Sequence, residues 1–101
     1  MSYSLIREAI VRRQAVSARY QGHRREMCPH AIGTKRGRPQ VLFYQFGGGS
    51  ARGLAAAGTA GNWRCIPLSG LSEIQVYDAE WHTAPRVHAQ TCIDEIDIEI
   101  V

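Results

Sequence analysis

A chain of 101 residues, 45% hydrophobic and 21% charged, is one domain with a small core and falls outside the composition of disordered chains. No apolar run approaches the ~20 residues that cross a bilayer and no charged-then-apolar leader opens the chain, so a cytoplasmic protein with no membrane partner is expected. The net charge of +3 hides a division: residues 1–52 carry ten Lys/Arg and two acids, net +8, whereas residues 53–101 carry two Arg and seven acids, net −5. A basic half of this size points to an anionic partner, or else to two halves that attract one another in the fold.

In chain order, Ser4 is placed to cap a helix over about residues 4–14, with Leu5, Ile6, Ala9 and Ile10 inward and Arg7, Glu8, Arg12 and Arg13 outward. From Val16 the period becomes two, with Val16, Ala18 and Tyr20 on one face, and Gln21-Gly22-His23 reads as a hairpin turn. A return strand runs from Arg24 to about Ile32, kinked at Pro29, whose missing N–H suits an edge or bulge. Lys35-Arg36-Gly37-Arg38-Pro39 forms a second turn and Gln40 to Phe46 a third strand, in which Phe43 and Tyr44 point to opposite faces. Gly47 to Gly61 holds six of the ten glycines and reads as a loop that cannot fix itself by apolar packing. Asn62 to Leu68 and Ile74 to Tyr77 supply two further strands. Five strands behind one helix make a small barrel over about residues 16–77 the economical fold, mainly β, because closure removes exposed edges. The extension 78–101 ends in Glu95-Ile96-Asp97-Ile98-Glu99-Ile100, whose alternation favours a strand.

The chemistry of the side chains points to binding rather than catalysis. Histidines 23, 30, 82 and 88 and the scattered acids form no nucleophile–base pair, and Ser50 lacks the G-x-S-x-G elbow, so no enzyme activity is expected. Cys28, Cys65 and Cys92 include no C-x-x-C pair, and reduced structural thiols are expected. Cys28 and His30 share a strand face, but a buried thiol beside a hydrogen-bonded histidine is preferred over a metal site. No metal or cofactor is expected. Arginine offers a planar fork of donors that fits phosphate oxygens, and aromatic rings beside it serve as platforms for bases. The candidates for contact with such a ligand are Arg19, Arg24, Arg25, His30, Tyr44, Arg52, Trp63 and Arg64. For Tyr44 and Trp63 the competing reading is packing in the core.

Taken in order, Tyr20, Gly22, Arg24, Pro29, His30, Gly33, Gly37, Leu42, Tyr44, Gln45, Gly48, Ser50, Trp63 and Arg64 resemble the pattern of the WYL-like domains, over about Leu5 to Arg86. The tripeptide that names that family reads Gln40-Val41-Leu42 here, and Ser69 stands where a basic residue is common. The resemblance implies an Sm-like small barrel of bacterial type that senses a ligand in transcription regulation. It also implies a pocket for a nucleic-acid strand end or nucleotide-like anion, with Arg24, Arg25 and Arg64 on phosphate and His30, Tyr44 and Trp63 lining the groove. No helix-turn-helix precedes the barrel, so a regulatory role would need a separate helix-turn-helix partner or a homo-oligomer. The alternative is a protein-interaction or oligomerisation module that adds its C-terminal strand to a neighbouring copy. A third expectation joins the two: the acidic tail covers the basic surface and competes with ligand.

Overall fold

The computed structural model describes residues 2–86 and 89–100; Met1, Val87, His88 and Val101 lie outside the described residues. Two tight turns organise the sheet. Strands β1 (Ala15–Tyr20), β2 (His23–Lys35) and β3 (Arg38–Gly48) follow one another as antiparallel hairpins, with Tyr20 opposite His23 and Lys35 opposite Arg38. The two-residue loops Gln21-Gly22 and Arg36-Gly37 have φ of 50° and 79°, and of 53° and 79°, the left-handed pair that matches the twist of the flanking strands. Glycine takes this conformation without penalty, which is why each loop ends in one.

Strand β4 (Trp63–Pro67) pairs with β3, β5 (Ser72–Tyr77) with β1, and β6 (Glu95–Glu99) with β2. The result is one open antiparallel sheet of six strands, β4-β3-β2-β1-β5, with β6 beside the second half of β2. The expected mainly β fold behind one helix is realised, with six strands rather than five: the hydrogen-bonded path is open among the described residues, and the sixth strand lies in the C-terminal extension. The predicted alternation of that extension is realised, but on the chain's own β2. Strand β2 is long enough to hold two partners on one edge, with residues 23–27 against β1 and 31–34 against β6. Pro29 falls between them, where a missing N–H costs no ladder bond. His30 is the extra residue of a bulge, since Pro29 faces Phe43 and Ala31 faces Leu42.

Helix α1 runs Ser2–Arg12 and buries Ile6, Ala9 and Ile10. It begins before Ser4, which therefore lies inside the first turn rather than at the cap. Leu5 is 43% exposed, because the face that meets the sheet is the narrower Ile6-Ala9-Ile10 stripe. That stripe joins Val16, Ala18, Met27, Ile32, Val41, Phe43 and Ile66 in the main core. A second cluster of Ala31, Leu42, Cys92 and Ile93 lies on the other face of the sheet, with Trp63 packed against it. There the chain after β5 returns across β2, β3 and β4.

That return explains the largest surprise in the fold. Cys65 and Cys92 form a disulfide, with Cα atoms 5.6 Å apart, and Cys28 alone remains free and buried. Reduced thiols throughout were expected because the spacing of 27 residues carries no local signature. Cys65 faces the returning segment from β4, so the pairing is a product of tertiary structure. No helix among the described residues is long and apolar enough to cross a membrane.

Candidate functional site

The core face of the sheet is apolar through most of its length and turns polar at one end. Alternation along each strand places Arg25 on the face of Met27, Gln45 on that of Val41 and Phe43, and Arg64 on that of Ile66. Gln45 is fully buried, and Arg25 and Arg64 are 3% and 8% exposed. Arg25 Nη1 donates to Gln45 Oε1 at 3.3 Å, and Arg64 Nε donates to the same oxygen at 3.2 Å. The amide is held in turn by Nε2, which donates to the carbonyls of Gly47 and Gly49 at 2.9 and 3.0 Å.

The two guanidinium groups are used very differently. An arginine has five N–H donors. Arg64 commits four of them: besides Gln45 it reaches the carbonyls of Gly61 (2.8 Å), Trp63 (3.2 Å) and Gly53 (3.3 Å). Among the described residues Arg25 commits only the one to Gln45, and its Nε is buried without a partner. The ring of Tyr20 lies 5.0 Å from the Arg25 guanidinium carbon and covers one face of it.

Both groups border a cavity of ≈ 420 Å³ lined also by Tyr20, Ser50, Arg52 and Trp63, with no acidic residue in its wall. Among the described residues the arginine ion pairs are made by Arg7, Arg12, Arg19 and Arg86, and none by Arg25, Arg52 or Arg64. Burial, followed by the charges of Arg52 and Arg25, pushes the Arg64 guanidinium below its ordinary range, and burial does the same to Arg25. Both stay cationic at neutral pH. The site is a cluster of three like charges with unused donors and no counter-ion, a condition that an anion relieves.

Of the eight candidate residues, Arg25, Arg52 and Arg64 meet at this cavity; Trp63 borders it, but its ring packs against His30 and Tyr44 on the opposite face of the sheet. Arg19 lies away from it and pairs with Glu73 at 2.9 Å on the exterior. Arg24 lies in a separate groove of ≈ 760 Å³ with Glu26, whose carboxylate also accepts from the Tyr77 hydroxyl. That groove carries its own negative charge and is the poorer anion site. His30 and Tyr44 lie on the opposite face, beneath the returning segment. His30 is 4% exposed, its Nδ1 stands 2.9 Å from the Cys28 carbonyl and its Nε2 2.9 Å from Thr83 Oγ1, and its ring packs against Trp63 and Trp81. Burial pushes its pKa down to about 4. Tyr44 is 1% exposed and donates to the Thr59 carbonyl at 2.8 Å. Cys28 Sγ accepts from the His82 amide at 3.4 Å, and burial raises the thiol to about 11, which makes it a poor nucleophile. The groove expected to combine arginines with His30 and Tyr44 is thus divided by the sheet itself.

Tyr20 and Gln45 were not among the candidates. A signal for Gln45 was available: it continues the Val41-Phe43 alternation, so a polar residue occupies a core-face position. The same reading applies to Arg25 before Met27 and to Arg64 before Ile66.

The fold and site together define a small antiparallel β protein with a buried arginine cluster open to one cavity. Searches with the chain match no family model, no curated protein and no solved structure.

Proposed function

We propose that this domain binds a phosphate-bearing anion, a single-stranded nucleic acid or a nucleotide-like ligand, in the cavity of Arg25, Arg52 and Arg64. The observation that carries the reading is Arg25: a nearly buried guanidinium with one protein hydrogen bond, an unpartnered Nε and no carboxylate. Arg25 and Arg52 supply the free donors, while Arg64 adds charge from behind. Tyr20 borders the cavity as a ring surface for a base.

The reading includes a WYL-like small barrel in a regulatory, non-enzymatic role. The strand order supports it, as does the single 3-10 turn Leu68–Gly70 that links β4 to β5 at the two ends of the sheet. A cytoplasmic setting belongs to the same reading; the Cys65–Cys92 disulfide weighs against it, since such bonds persist mainly in oxidising compartments. The oligomerisation alternative draws less support, because β6 already spends one edge on β2 of its own chain.

The test is the fluorescence anisotropy of a labelled single-stranded oligonucleotide across a salt series. Affinity should fall with a log–log slope of about −0.7 per phosphate contact, and Arg25→Gln should reduce the slope by about one such contact. Absence of binding at low salt, or an unchanged slope in the variant, overturns the proposal.

A further inference from the structure

We propose that an anion in the arginine cavity fastens the glycine-rich segment 49–59, so that the order of this segment reports occupancy; the inference rests on the anion-binding reading above. The segment has one large apolar side chain, Leu54, and that is 39% exposed. What holds it is polar. Asn62, 2% exposed, accepts from the Ala55 amide at 2.7 Å and donates to the Ala55 carbonyl at 3.1 Å. Arg64 reaches the Gly53 carbonyl, Tyr44 the Thr59 carbonyl and Gln45 the Gly49 carbonyl. Every clamp thus comes from the sheet or its border; of these Arg64 also lines the cavity, and Gln45 holds Arg25 and Arg64 beside it.

Arg52 is the exception in this set. It is exposed and borders the cavity, and its charge opposes that of Arg64. Without a counter-ion, like-charge repulsion pushes this part of the segment outward against the clamps. An anion between Arg25 and Arg52 reverses the sign of that force. Arg52 is then drawn onto the ligand, and the segment gains a charge-assisted hydrogen bond that it lacks when the cavity is empty. Occupancy and loop order are therefore two readings of the same equilibrium.

Hydrogen exchange of the amides of residues 50–56, with and without a saturating oligothymidylate, tests this, with binding followed in parallel by anisotropy. Exchange should slow roughly tenfold in the complex, the factor that one charge-assisted hydrogen bond supplies. Arg52→Gln should still bind, more weakly, and lose the slowing. Binding with unchanged exchange overturns the coupling and leaves the anion site standing. Equal slowing in Arg52→Gln overturns the assignment to Arg52. No binding at all removes both the site and the coupling.

Discussion

Arg25 and Arg64, from strands on either side of β3, donate to one and the same oxygen, Gln45 Oε1, at 3.3 and 3.2 Å. Two cations sharing one neutral acceptor make that amide the keystone of the polar end of the core. Gln45→Leu keeps the volume but leaves both guanidinium groups short of an acceptor and frees the Gly47 and Gly49 carbonyls. A loss of about 3 kcal/mol is expected in urea unfolding, as for breaking hydrogen bonds to buried charges. Added phosphate should recover part of it by binding the folded state alone.

The unequal use of donors separates the two arginines experimentally. Arg25→Lys keeps the charge but loses the planar fork, and should weaken oligonucleotide binding about tenfold or more with little change in stability. Arg64→Lys should do the reverse, lowering stability by about 2 kcal/mol through the lost carbonyl bonds and speeding exchange in the 49–59 segment. Titration and denaturation of the same two proteins check the contrast.

His30 predicts an acid-sensitive fold. Its pKa falls from 6.5 to about 4 on folding, first because burial disfavours the imidazolium, with Arg86 and Arg13 adding to it and the Cys28 carbonyl opposing. The unfolded chain binds the extra proton between these values, so stability is full above 6.5 and declines as pH falls towards about 4. The loss amounts to about 3 kcal/mol. Unfolding free energies measured across this range should show the slope, and His30→Gln should flatten it.

The Cys65–Cys92 bridge closes a loop of sequence separation 27 and ties β4 to the returning segment. Restricting the unfolded chain in this way contributes about 3.5 kcal/mol on the chain-entropy account. Reduction, or the double change Cys65→Ser and Cys92→Ser, should lower the thermal midpoint accordingly. Calorimetry with and without reductant reads the difference.

Much of the local structure was legible because it is written in neighbouring residues. Gln21-Gly22 and Arg36-Gly37 announce their turns, Val16-Ala18-Tyr20 its strand, and Glu95-Ile96-Asp97-Ile98-Glu99 its alternation. The pairing of β6 with the far half of β2, the disulfide and the start of α1 ahead of Ser4 were not legible, since each depends on contacts from elsewhere in the chain. The site was half legible. Arginine-rich strands signalled an anion, and alternation set Arg25, Gln45 and Arg64 on the core face. That Arg64 is nearly spent on carbonyls while Arg25 is nearly free follows only from the path of the 49–59 segment. His30 and Tyr44 were misplaced: His30 sits at a bulge and Tyr44 alternates away from Gln45, which puts both on the other face beneath the returning segment.

The division of β2 between two partners also orders events in time. Its pairings with β1 and β3 close over two-residue turns, whereas β6 joins residues 31–34 from some sixty positions away. Loop closure at that distance costs more entropy and is rewarded only once the β2 edge exists. The three-stranded meander should therefore assemble first, with the C-terminal strand arriving after the rate-limiting step. Substitutions in β6 would then speed unfolding while leaving the folding rate nearly unchanged, and those in β2 would slow folding.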